Sequence, residues 1–281
     1  MKPFNNFFAN RRRKRQQKNY TSRNMSQRRA YLLNEKTPFS VTEAFRNLKA
    51  SLSVAVPKKE GDKAISLMVT SNFPEEGKTT VTVNLALMFA MSDTKVVLID
   101  ADLRKGRVSK YFKEHHAPGL SDYLSGQAKL EDILHQSKVN ENLYVIYQGT
   151  SSPRPYELLE SEAMKEFSER LKDEFDYIIY DTPPIKLVSD ALATVPVTDG
   201  ALLVCRHMVT YESDIKSSLE ALKFAKANVL GIVVNDHFLN NKKMKKNQKK
   251  YYYSYYSNGY GDNINNAQKT TEIAPPPPHY F

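Results

Sequence analysis

The chain has 281 residues, of which 41% are hydrophobic, with one cysteine and a formal net charge of +10. That length accommodates one large α/β domain or two small ones with a full core, and a lone Cys205 excludes an intrachain disulfide, a thiolate metal site and an iron–sulfur ligand set. No run approaches the ~18 consecutive apolar residues of a membrane-spanning helix.

The charge is unevenly placed. Residues 1–34 hold ten basic side chains and no acid, and residues 242–250 hold six lysines and no acid. The remainder carries 25 basic against 31 acidic residues, so the basic balance belongs to two segments and not to the body. The first segment contains Arg11, Arg12, Arg13, Lys14 and Arg15, with Phe4, Phe7 and Phe8 before them and Arg28 and Arg29 after. Residues 1–36 therefore read as a disordered basic arm, either simply solvated or drawn to an anionic membrane surface at ~1 kcal/mol per basic residue near the headgroups. Charge alone would also suit nucleic acid, which is not expected as a partner because nothing else in the sequence points to it. Polar sequence follows the arginine block where a signal peptide would carry its apolar core. The expected location is cytoplasmic, peripheral at the inner face of the cell membrane.

In the body, residues 41–54 place apolar side chains at helical spacing, and Pro38, Thr42 and Glu43 suit a helix start. Next comes the apolar run 65–69 (ISLMV), then Ser71 to Thr80 (SNFPEEGKTT), then a helical pattern over 81–90. Strand, loop and helix in that order form a phosphate cradle, because a helix start leaves N–H groups unpaired and carries partial positive charge. Gly77 lets the backbone approach phosphates, Lys78 supplies an ammonium and Thr79 offers a hydroxyl to Mg2+. Asn72 stands where the P-loop pattern has glycine. Asn tolerates left-handed backbone better than other non-glycine residues, so the loop is expected to survive the change.

Further β-like runs follow at 96–99, 143–146, 177–180, 201–204 and 229–234, each short, nearly all apolar and separated by enough chain for a helix. The spacing predicts one doubly wound α/β domain over residues 37–238, mainly parallel and of the P-loop NTPase type, with ligands at the carboxyl ends of the strands. Asp100 and Asp102 (VVLIDADLR) and Asp181 (YIIYDTPP) fall at strand ends, where carboxylates beside a P-loop hold Mg2+ against the phosphates. The implied reaction class is phosphoryl transfer from a nucleoside triphosphate. Cys205, inside ALLVCR, reads as a small core residue.

After Phe238 the globular pattern stops. Residues 239–281 read as a flexible tail with a basic stretch, then YYYSYYSNGYGD, then four prolines at 275–278. Tyr251, Tyr252, Tyr253, Tyr255, Tyr256 and Tyr260 follow no strand or helix period. They form either an aromatic low-complexity tail or a set of acceptor hydroxyls.

These motifs resemble the bacterial tyrosine kinases of the BY-kinase family, in particular the separate cytoplasmic kinase subunits of Gram-positive capsule and exopolysaccharide machineries. SNFPEEGKTT resembles the family's Walker A, VVLIDADLR its Walker A′, YIIYDTPP its Walker B and the terminal tyrosines its tyrosine cluster. GLSDYLSG from Gly119, PYELLES from Pro155 and VLGIVVND from Val229 fit as well, so the resemblance covers residues 38–260. It implies an ATP-dependent autokinase with Mg2+ that modifies its own tyrosines between subunits and regulates polysaccharide export. The nucleotide would be held by Ser71, Glu76, Gly77, Lys78, Thr79 and Thr80, and the metal by Thr79, Asp100, Asp102 and Asp181. Lys78, Asp100 and Asp102 would serve catalysis, with Asp100 accepting the tyrosine proton. Asp236, beside Asn235 after the last strand, is expected near the base.

The family's ring-assembly motif, E-x-x-R-x-x-R, appears as Glu43, Arg46 and Lys49. The final lysine keeps the charge but loses the bidentate fork. The resemblance also implies a transmembrane activator. The rival reading is a partition or division ATPase of the deviant Walker family, a nucleotide-switched binding protein. That family carries a further lysine five residues before the P-loop lysine, at the position of Phe73, and has no tyrosine cluster.

Overall fold

A computed structural model describes residues 32–58 and 63–236, and those up to Asn235 make one compact unit. Helix α1 (Phe39–Ala55) begins directly after Pro38, whose fixed φ and missing N–H suit a helix boundary. Seven strands follow: β1 (Ile65–Ser71), β2 (Val96–Asp100), β3 (His135–Gln136), β4 (Leu143–Ile146), β5 (Tyr177–Asp181), β6 (Gly200–Arg206) and β7 (Val229–Asn235). They form one sheet in the order β3-β4-β2-β5-β1-β6-β7. Every neighbouring pair is parallel except β3–β4.

Between the strands run α2 (Lys78–Ala90), α3 (Val108–Phe112), α4 (Leu120–Leu124), α5 (Leu130–Ile133), α6 (Pro155–Glu160), α7 (Glu162–Lys172), α8 (Asp190–Ala193) and α9 (Glu212–Phe224). All six runs expected as strands are strands. The short antiparallel β3 is an addition that the sequence pattern did not announce.

The sheet is covered on both faces, which is why β1, β2, β5 and β6 are apolar on both sides and buried at every position. On one face α2 packs against the sheet, with Val83, Leu87 and Phe89 in one buried cluster with Val96 and Ile179 and the Phe89 ring stacked 4.1 Å from Tyr177. Helix α1 lies over α2 and adds Leu52 to the same core. Because α2 is covered on both sides, every one of its residues except Thr80 is buried, so it reads as apolar all round. Helix α7 covers the opposite face and is amphipathic: Met164, Phe167, Ser168 and Leu171 point inward at i, i+3, i+4 and i+7. Ser161 caps it by accepting the Met164 N–H at 3.2 Å.

Register brings the functional ends of the strands to one level. Asp181 of β5 pairs with Val69 of β1 on one side and with Asp100 of β2 on the other. The chain leaves β1 toward β2 in one direction and later crosses from β5 to β6 in the other, which opens a crevice above β1. No helix among the described residues is long and apolar enough to cross a membrane.

Candidate active site

The P-loop fills that crevice. Gly77 closes it with φ 92°, a region glycine enters without strain, and a Cβ there would run into the Asn235 side chain. Asn72 does not adopt left-handed backbone. The residue that does is Glu75, at φ 67°, a conformation that costs a non-glycine residue roughly 1–2 kcal/mol. The loop is intact with Asn72 in place of glycine, but not by left-handed tolerance: position 72 demands no positive φ, and Asn72 donates its N–H to the Glu76 carboxylate at 2.7 Å.

Glu76 organises the loop from within. Its Oε2 accepts the N–H groups of Asn72 at 2.7 Å and Phe73 at 3.0 Å, while its Oε1 accepts the Thr210 hydroxyl at 2.5 Å. The Ser71 hydroxyl donates to the Phe73 carbonyl at 2.9 Å. Thr80 turns away from the aspartates, with its hydroxyl 2.6 Å from that of Tyr111. Of the residues expected to bind ATP, the Ser71, Glu76 and Thr80 side chains thus serve the protein's own scaffold. Lys78 and Thr79 face the acidic cluster.

There Lys78 Nζ lies 3.2 Å from Asp181 Oδ2 and 3.3 Å from Asp102 Oδ2. Thr79 donates to the same Asp181 oxygen at 2.7 Å, and Thr82 donates to its other oxygen at 3.0 Å. Asp100 Oδ1 accepts the Asp102 N–H at 3.3 Å, and its Oδ2 accepts the Val108 N–H at 3.0 Å. Burial and the nearby Asp181 push the Asp100 carboxyl up to about 8. Asp181 is raised as well, chiefly by burial. Burial pushes the Lys78 ammonium down, but Asp181, Asp102 and Asp100 outweigh it and its affinity for the proton rises.

Asp100, Asp102 and Asp181 do not converge as a three-carboxylate metal cage, and no group of three or more His, Cys, Asp or Glu does so among the described residues. Lys78 stands between Asp102 and Asp181, and the Asp100 oxygens face backbone N–H groups. Hard oxygen donors at Thr79 and Asp181 still fit Mg2+, which takes one or two carboxylates and draws its other oxygens from phosphates and water.

The expected assembly residues lie on α1. Glu43 and Arg46 form an ion pair. Lys49 instead turns its ammonium over the Phe89 ring, 5.6 Å from the centroid, and desolvation there lowers its pKa. The Lys49 ammonium thus meets α2, while Glu43 and Arg46 pair with each other on α1. Asp236 is exposed, with φ 54°. Its neighbour Asn235 donates its side-chain amide to the Glu76 carbonyl at 2.9 Å. Cys205 is buried and free, as expected. The arm and the tyrosines Tyr251, Tyr252, Tyr253, Tyr255, Tyr256 and Tyr260 lie outside the described residues.

Two side chains at the site carried no sequence signal, Thr210 and Asp190, and Asn235 was marked only as a member of VLGIVVND. Asp190, 1% exposed, holds Arg104 in a two-point ion pair at 2.6 and 3.1 Å and so anchors the loop that follows Asp102.

A mainly parallel sheet, a glycine–lysine–threonine loop opening a buried helix and aspartates at neighbouring strand ends define a P-loop nucleotide-binding α/β protein. Residues 75–211 match a family model described as an AAA domain. The tyrosine-protein kinase CpsD of Streptococcus pneumoniae is 39% identical over 176 residues, 62% of this chain and 77% of that protein. The solved kinase domain of the Escherichia coli tyrosine kinase ETK superposes with a TM-score of 0.67 at 34% identity, covering 72% of this chain and 77% of that one. The septum site-determining protein MinD of Pyrococcus horikoshii, complexed with Mg-ADP, superposes with a TM-score of 0.52 at 26% identity, covering 61% and 70%. The chain belongs to the bacterial tyrosine-protein kinase family. It spans only 26% of the length of the longer tyrosine-protein kinases it also matches.

Proposed function

We propose that the protein is an ATP-dependent protein-tyrosine autokinase. The convergence of Lys78 and Thr79 on Asp181, one strand away from Asp100, is the observation that carries this reading. Lys78 would neutralise the phosphates and Thr79 with Asp181 would hold Mg2+, directly or through water. Mg2+ held there would supply positive charge against the phosphates. Asp100, its carboxyl raised to about 8, would accept the tyrosine proton where it is ionised. Asp102 would hold Lys78 from the second side, and Asp236 is assigned to the base.

The acceptors are the tyrosines at 251, 252, 253, 255, 256 and 260, reached between subunits of a ring in which Glu43, Arg46 and Lys49 take part. Residues 1–36 and 239–281 flank the kinase domain as arm and tail. The arm holds the protein at the inner face of the membrane, where a transmembrane activator meets it and couples it to capsule or exopolysaccharide synthesis. That assignment draws on the chain's relatives, among them CpsD and a putative tyrosine-protein kinase in a cps region of Klebsiella pneumoniae.

Transfer between chains is tested by mixing Lys78→Met protein, which keeps its tail, with a chain cut before Tyr251. Phosphotyrosine on the Lys78→Met subunit supports the reading. Its absence, while wild-type protein labels itself, would contradict transfer between chains. The likeness to MinD favours one rival, a nucleotide-switched ATPase. That reading predicts nucleotide-dependent association with no phosphotyrosine at all.

A further inference from the structure

The P-loop is tied to the far side of the crevice by residues that touch none of the catalytic aspartates. The Arg206 N–H donates to the Thr210 hydroxyl at 2.8 Å, and that hydroxyl donates onward to Glu76 Oε1 at 2.5 Å. Glu76, 2% exposed, uses its other oxygen to accept the N–H groups of Asn72 and Phe73 at 2.7 and 3.0 Å. Asn235 holds the Glu76 carbonyl from β7 at 2.9 Å, and the His207 N–H donates to the Asn235 carbonyl at 2.9 Å. The ends of β6 and β7 and the loop after β1 are thereby joined through one buried residue, Glu76, by its carboxylate on the β6 side and its backbone carbonyl on the β7 side.

We propose that Glu76 and Thr210 are positioning residues that hold the P-loop in its nucleotide-receiving shape before nucleotide arrives. This rests on nucleotide binding at the P-loop and adds the device that shapes it. A phosphate cradle works only if its N–H groups already converge, because ordering them during binding subtracts from affinity. The loop carries left-handed backbone at Glu75 and Gly77, and at Glu75, a non-glycine residue, that conformation persists only where the surroundings over-determine it. Glu76 sits between those two points. It supplies that constraint with charge-assisted hydrogen bonds, which are the stronger kind. The Thr210 hydroxyl holds the carboxylate in the orientation that leaves Oε2 for the two backbone donors. The arrangement acts on the unliganded loop, so its loss falls on binding and not on the chemical step.

The test is calorimetric titration of the full chain with ADP and Mg2+, together with the ATP dependence of autophosphorylation. Thr210→Val should weaken ADP binding and raise the KM for ATP about tenfold, while turnover at saturating ATP falls by less than about twofold. Thr210→Ser, which restores the hydroxyl, should recover wild-type values. Glu76→Gln should weaken binding as well, and the double variant should lose no more than the worse single one, because both changes break one chain of hydrogen bonds. Equal ADP affinity in wild type and Thr210→Val, a loss confined to turnover, failure of the serine variant to recover, or additive losses would overturn this inference alone. Wild-type protein that binds no ADP would overturn the nucleotide-site reading and this inference with it.

Discussion

Asp100 shows how one residue can serve function at the expense of the fold. Its carboxyl is buried beside Asp181 and is raised from 3.8 to about 8. Below the ordinary range both the folded and unfolded chains carry the proton and the group contributes nothing. As pH rises from about 4, the unfolded chain releases its proton and the folded chain does not, so stability falls until about pH 8. Asp100→Asn should flatten that decline in the nucleotide-free protein, as read by thermal unfolding across pH. It should also cut phosphoryl transfer by two orders of magnitude or more, roughly the worth of a general base, with ADP affinity changed far less. A steeper decline, or a pure affinity loss with normal turnover, would count against the assignment. Burial works against the charge on Lys78, but Asp181 and Asp102 outweigh it.

At the scale of elements, the strands were legible because a strand buried on both faces must be a short apolar run, and 65–69, 96–99 and 177–180 are such runs. β3 was not, since His135 and Gln136 are polar and exposed and β3 exists only by pairing with β4. The P-loop and the aspartates were legible because each motif is local. The contacts of Thr210 and Asn235 with Glu76 were not, because they span 134 and 159 residues of sequence and no spacing rule reaches that far. Helical periodicity places Lys49 near Glu43 and Arg46, but it cannot say that the Lys49 ammonium lies over Phe89. The left-handed turn into α2 gives a further check. Gly77→Ala should destabilise the fold by about 1–2 kcal/mol from backbone strain alone, and it should weaken ADP binding because Asn235 must move. Denaturant unfolding and calorimetry measure the two effects, and a variant indistinguishable from wild type would mean that the loop is not shaped as described.

For the whole molecule, charge separates a mildly acidic body from a strongly basic beginning. Deleting residues 1–34, with ten cations and no acid, should weaken sedimentation with anionic vesicles. The wild-type interaction should fade as salt shortens the Debye length toward and below ~10 Å, while ATP hydrolysis stays unchanged. Equal vesicle binding by the shortened chain would remove the arm from membrane attachment. The central claim concerns what the crevice above β1 does with ATP. Purified full-length protein incubated with ATP and Mg2+ and probed for phosphotyrosine measures it most directly, with Lys78→Met as the comparison. The account predicts labelled tyrosine in the wild type and none in a Lys78→Met protein that remains folded by circular dichroism. Equal labelling of the two, or hydrolysis of ATP by the wild type with no phosphotyrosine formed, would contradict it.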